Sequence, residues 1–163
     1  MKKSLFLLLA LMLVCFVSVC DCSGLLRASQ ELAKITAVND GAKMERTELL
    51  NAISVIGDKK EKGASGQIAK LMLTTNDLAV GNACISALSD INEPEAMDAI
   101  INFVERKPAI IRRQAIIAAR KIANQTAAEW LLVMAYGHDD AMVRKEASEA
   151  LEVVEEKLGL SKK

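Results

Sequence analysis

The sequence predicts an all-α fold: a right-handed α-solenoid of about four helical hairpins behind an N-terminal apolar leader helix. Three observations predict it. Segments of the chain repeat at a near-constant spacing. Within those segments apolar residues recur at i, i+3, i+4 and i+7, one face of a helix. The apolar content is dominated by Ala, Leu and Ile, with only 2 Pro, a composition that favours helices with small side chains at their contacts.

The leader comes first. Lys2 and Lys3 precede an uncharged stretch from Ser4 to Cys20 that includes LFLLLALMLVCFV, and small residues follow at Ser18, Cys20, Cys22, Ser23 and Gly24. That order reads as an export signal over residues 1–22, with a repeat domain over 23–163. Three fates stay open. Ordinary cleavage fits the pairs Ser18 with Cys20, Cys20 with Cys22 and Cys22 with Gly24. Retention as an anchor needs the stretch to span a membrane, and it is at the short end of the roughly 17–25 residues required. In the third, VSVC resembles the lipobox of bacterial lipoprotein leaders, which implies a lipid on Cys20; Val19 stands where that pattern has a small residue. Metal or redox chemistry by Cys15, Cys20 and Cys22 is not expected. A zinc site wants about four ligands in separated pairs, and no histidine is near.

The body begins with an expected helix over Leu25–Val38, paired with the first repeat. ERTELLNAISVI (Glu45–Ile56), VGNACISALSDI (Val80–Ile91), IRRQAIIAARKI (Ile111–Ile122) and VRKEASEALEVV (Val143–Val154) align without gaps, their starts 35, 31 and 32 residues apart. The longer first spacing holds a polar loop, Asp58–Gly66. Four columns define the expected core: Leu49, Cys84, Ala115, Ala147; Ala52, Ala87, Ala118, Ala150; Ile53, Leu88, Ala119, Leu151; Ile56, Ile91, Ile122, Val154. The alanine column implies close helix–helix approach. Shorter apolar helices lie between the repeats, and Phe103 and Trp130 sit on their apolar faces. Asp77 and Asp140 are placed to cap the long helices. Thr126 with Glu129 fits a capping box, and Asn92 with Glu95 a weaker one, with Pro94 in the first turn.

At these columns the chain resembles HEAT repeats, in the short PBS-lyase HEAT-like form, over roughly Leu25 to Leu158. The shared pattern is a hydrophobic residue and Arg opening the second helix (Ile111-Arg112, Val143-Arg144 and, partly, Glu45-Arg46), then Ala118 and Ala150, then a Gly-Asp turn at Gly57-Asp58. The second copy departs, with Val80-Gly81. The resemblance implies the fold and leaves function open, because this scaffold serves many roles. Arg46, Arg112 and Arg144 are expected to bond loop carbonyls or acidic residues of their own or the adjoining hairpin.

The function classes narrow as follows. The 21 basic and 21 acidic residues balance, which opposes nucleic acid as a partner; Phe6, Phe16, Phe103, Trp130 and Tyr136 are too few for a stacking platform. No enzymatic role, cofactor or metal is expected. The one histidine, His138, lies in a GHDD turn, and Gly63 and Gly66 sit in a Lys-rich turn without a preceding strand. Cys84 reads as a small buried hydrophobe.

If the core columns point inward, an outward stripe remains: Thr47, Asn51, Ser54; Asn82, Ser86, Ser89; Arg113, Ile117, Arg120; Lys145, Glu149, Glu152. The candidate partner-binding residues are Arg113, Ile117, Arg120, Lys145 and Glu149, suited to an acidic or amphipathic segment of a protein or peptide. The expected role is an exported adaptor or assembly factor in the periplasm or on a membrane of a bacterial envelope, tethered through its leader or a lipid. The alternative is a repeat-fold accessory enzyme or lyase-type chaperone handling a small ligand.

Overall fold

A computed structural model describes residues 26–105 and 107–160. The leader, with Cys15, Cys20 and Cys22, lies outside the described residues. Among the described residues the chain forms eight α-helices and no strand: α1 (26–39), α2 (Arg46–Asp58), α3 (Ser65–Thr74), α4 (Leu78–Ile91), α5 (Ala96–Val104), α6 (Ala109–Ile122), α7 (Gln125–Gly137) and α8 (Ala141–Leu158). None of these helices is long and apolar enough to cross a membrane.

The helices sort into two rows. The long helices α2, α4, α6 and α8 each pack on the next, as do the short ones α3, α5 and α7; each short helix also packs on the long one that follows it. The first helix joins the short row: Asn39 Nδ2 donates to the Gln67 carbonyl at 2.9 Å, while Lys34 meets Glu48 of α2 at 3.1 Å. Ala28 and Ile35, seven residues apart on α1, are fully buried.

One continuous core runs between the rows. Fifteen of the sixteen predicted column residues are buried; Leu49, in the first unit, is half-buried. The alanine column does allow close approach. A Cβ on Gly57 would lie 2.9 Å from the Cα of Ala87, so α2 and α4 touch backbone to backbone there. Gly57 and Asp58 therefore belong to the last turn of α2 and not to a turn between helices. The loop is shorter than Asp58–Gly66, and its left-handed residues are Lys60 and Gly63. At Gly81 a Cβ would fall 2.5 Å from Cζ of Phe103. The aromatic ring fills the space where the other repeats carry a longer side chain, which explains the departure of the second copy.

Capping follows the sequence in part. Asp77 accepts from the N–H of Ala79 and Val80 at the head of α4, and Asp140 from Met142 and Val143 at the head of α8. The other two boxes are corrected. Asn124, and not Thr126, caps α7, its side chain accepting from the N–H of Ala127 at 2.8 Å. Asn92 ends α4 in the left-handed region (φ 56°) instead of starting α5, and Pro94 precedes that helix.

Candidate functional site

The third and fourth long helices build the site. On α6 the apolar positions Ile111, Ala115, Ala118 and Ile122 face the core. That orientation turns Ile110, Arg113, Ile117 and Arg120 toward solvent. On α8 the same logic buries Val143, Ala147 and Val154 and leaves Glu146 and Glu149 beside them. Between the two helices lies an open groove of about 410 Å³, with Ile110, Arg113, Ile117, Arg120, Glu146 and Glu149 among its walls.

Four of the five predicted partner-binding residues line this groove: Arg113, Ile117, Arg120 and Glu149. Lys145 stands just outside it, 3.9 Å from Glu149. Sequence reasoning missed Ile110. It is 62% exposed and Ile117 60%, and the two lie seven residues apart on one face of α6, so the spacing alone could have found the pair. Arg113 is held by Glu146 at 3.1 Å. No carboxylate of the described residues pairs with Arg120. Arg113 and Glu146 thus neutralise each other within the groove, while Arg120 stands one turn beyond the exposed Ile117 and Glu149 faces Lys145 at the edge.

The rest of the outward stripe is plainer. Thr47, Asn51, Ser54, Ser86 and Glu152 are exposed and Asn82 is half-buried. Ser89 corrects the expectation: it is buried, its hydroxyl donating to the Ser86 carbonyl of its own helix at 2.8 Å. A hydroxyl satisfied within its helix can enter a core at little cost. Cys84 is fully buried, and burial pushes its thiol up to about 12. Phe103 is buried and Trp130 half-buried against the core.

The three repeat arginines divide. Arg46 reaches the next unit and donates through Nε to Asp77 Oδ2 at 2.5 Å. The guanidinium and the N–H of Ala79 together hold the Asp77 carboxyl down at about 2. Arg144 donates to the carbonyls of His138 and Asp139 at 2.6 and 2.8 Å. Arg112 departs from the expected pattern: its partner is the His138 ring, with Nη1 2.9 Å from Nε2.

No family model, curated protein or solved structure matches the chain. Among the described residues no group of three or more His, Cys, Asp or Glu side chains is gathered to hold a metal ion.

Proposed function

We propose that the protein is a HEAT-like α-solenoid, exported and tethered in a bacterial envelope, that binds a segment of a partner protein in the groove between α6 and α8 as an adaptor or assembly factor. The repeat reading is supported by links at one unit's separation. Arg46 to Asp77 and Lys121 to Asp90 each join residues 31 apart, and Lys70 to Asp40 and Gly63 to Glu93 each 30 apart. Such regular neighbour contacts are what stacked repeats produce. The address rests on the leader alone, with Cys20 as the candidate lipid site. Loss of palmitate labelling in Cys20→Ala supports lipidation; unchanged labelling removes it.

The observation that carries the binding role is the groove itself. Two isoleucines more than half exposed lie along α6, and one turn beyond Ile117 stands Arg120, with which no carboxylate of the described residues pairs; this suits an amphipathic segment bearing a carboxylate. An open trough, and not an enclosed chamber, suits an adaptor. The test is capture from the native envelope, identified by mass spectrometry, with Arg113→Glu/Arg120→Glu as comparison. Partners retained by the native chain are expected to be lost from the double variant while its helical circular dichroism persists. Equal capture by both would assign the stripe to solvation only.

A further inference from the structure

A second groove, in the short-helix row, holds an arrangement that its repeat equivalents lack. Arg46 and Arg144 spend their donors on a carboxylate and on two carbonyls. Arg112 is half-buried, and no carboxylate of the described residues pairs with it. The ring it touches is already engaged, because the backbone N–H of Asp140 donates to His138 Nδ1 at 3.0 Å.

A neutral imidazole has one N–H and one acceptor nitrogen. With Nδ1 accepting from a backbone amide, Nε2 carries the proton and faces a guanidinium that can only donate. The other tautomer moves the donor–donor conflict to the Asp140 amide, and a protonated ring has it at both nitrogens. The backbone fixes the amide whereas an arginine side chain can turn, so the turn holds the first tautomer. Arg112 Nη1 and His138 Nε2–H are then two donors 2.9 Å apart, a conflict that a small turn of Arg112 and one acceptor seated against both would relieve.

That place borders a groove of about 600 Å³, a size that suits a small organic ligand. Its apolar walls are Ile101 and Val104 of α5 and Trp130, Val133 and Met134 of α7. Three acids also line it: Glu105, Asp139 and Asp140, the last engaged at the head of α8. We propose that this groove binds an amphiphilic monocarboxylate, its carboxylate bridging Arg112 and His138 Nε2–H and its hydrocarbon part lying against Trp130 and Met134. The acidic rim disfavours a ligand with two negative charges, and the two donors, not the net charge of the lining, select one carboxylate on an apolar body. The site is separate from the α6–α8 groove and does not depend on the partner-binding proposal.

Trp130 is the chain's one tryptophan, so its emission reports on this groove directly. The full chain is titrated, below micelle-forming concentrations, with decanoate, decyl phosphate, decanol and decylammonium. Decanoate is expected to shift the emission saturably, with a midpoint at least tenfold below those of the other three. Arg112→Gln is expected to raise the decanoate midpoint tenfold or more, and Arg120→Gln, in the other groove, to leave it unchanged. Equal midpoints for decanoate and decylammonium or decanol would mean that the tail alone binds, and an equal midpoint for decyl phosphate would defeat the choice of a monocarboxylate. No saturable shift, or no effect of Arg112→Gln, also overturns the proposal. The ligand series on the native chain decides the matter even where Arg112→Gln lowers the helical signal.

Discussion

Replacing Gly57 by alanine tests the closest helix contact described above. The added methyl would sit 2.9 Å from Ala87 Cα and 3.1 Å from Ala87 Cβ. Carbon atoms pack best at about 3.5–4.0 Å, so α2 and α4 must part by about 0.6–1 Å. The obstructing atom is backbone, which cannot swing aside as a side-chain end can. Overpacking of this kind costs about 1–3 kcal/mol. Exchanging glycine for alanine inside a helix returns at most about 1 kcal/mol, and less at the last turn. The expected net loss is about 1–2 kcal/mol, or a fall in Tm of roughly 3–6 °C for a domain of this size. Gly66 is the control, since it lies in α3 with open space where its Cβ would be. Gly66→Ala, in the first turn of α3, is expected to gain up to about 0.5 kcal/mol through the same propensity term. Thermal and urea unfolding followed by circular dichroism would measure both variants. If Gly57→Ala is as stable as the native chain, or if both substitutions shift stability in the same direction, the close approach of α2 and α4 is wrong.

Asp77 gives an acid signature: its folded-state pKa is depressed to about 2 by Arg46 and the α4 amides, so its contribution is present above the ordinary carboxylate value and is lost as pH falls from about 4 towards 2. Asp77→Asn should flatten the pH dependence of the urea midpoint across that window, and an unchanged slope would count against the pairing. Asn124→Ala removes the α7 cap and should cost about 1 kcal/mol, whereas Thr126→Ala should cost less; the reverse order would restore the sequence-predicted box. The Cys84 thiol is buried and held protonated, so peptide mapping after iodoacetamide should find it unmodified in the native chain and alkylated once urea unfolds it. Rapid native alkylation would contradict its place in the core.

Much of the fold could be read from the order of residues, because helical periodicity survives in all four long helices. Four columns of small and aliphatic residues chose the faces, and only Leu49 in the opening unit is less covered than expected. What escaped notice depends on shape or on a single atom. Ser89 is inside because its hydroxyl finds a carbonyl one turn back. Gly81 lacks a side chain because Phe103, 22 positions later, occupies the space. Gly57 looked like punctuation and is a contact. In the candidate groove, the stripe at Arg113, Ile117 and Arg120 followed from the same periodicity. That Arg113 is neutralised and Arg120 is not depends on where Glu146 lies on a neighbouring helix, which a pattern along one helix cannot supply. The link between Arg112 and His138 was similarly out of reach, since it crosses from α6 to the turn before α8.

The regular separation of the inter-unit links bears on how the chain finds its structure. Bringing two parts of a chain together has an entropic cost that rises with the logarithm of the loop closed. Ser29 to Glu61, Gly63 to Glu93 and Lys121 to Asp90 close loops of 32, 30 and 31 residues, so docking any hairpin on its neighbour meets nearly the same opposition. Contact order stays low, which favours rapid folding. In the proposed solenoid, nucleation can start at whichever adjacent pair forms first and spread in both directions. Lengthening the chain by another such unit would extend its surface without lengthening any closure.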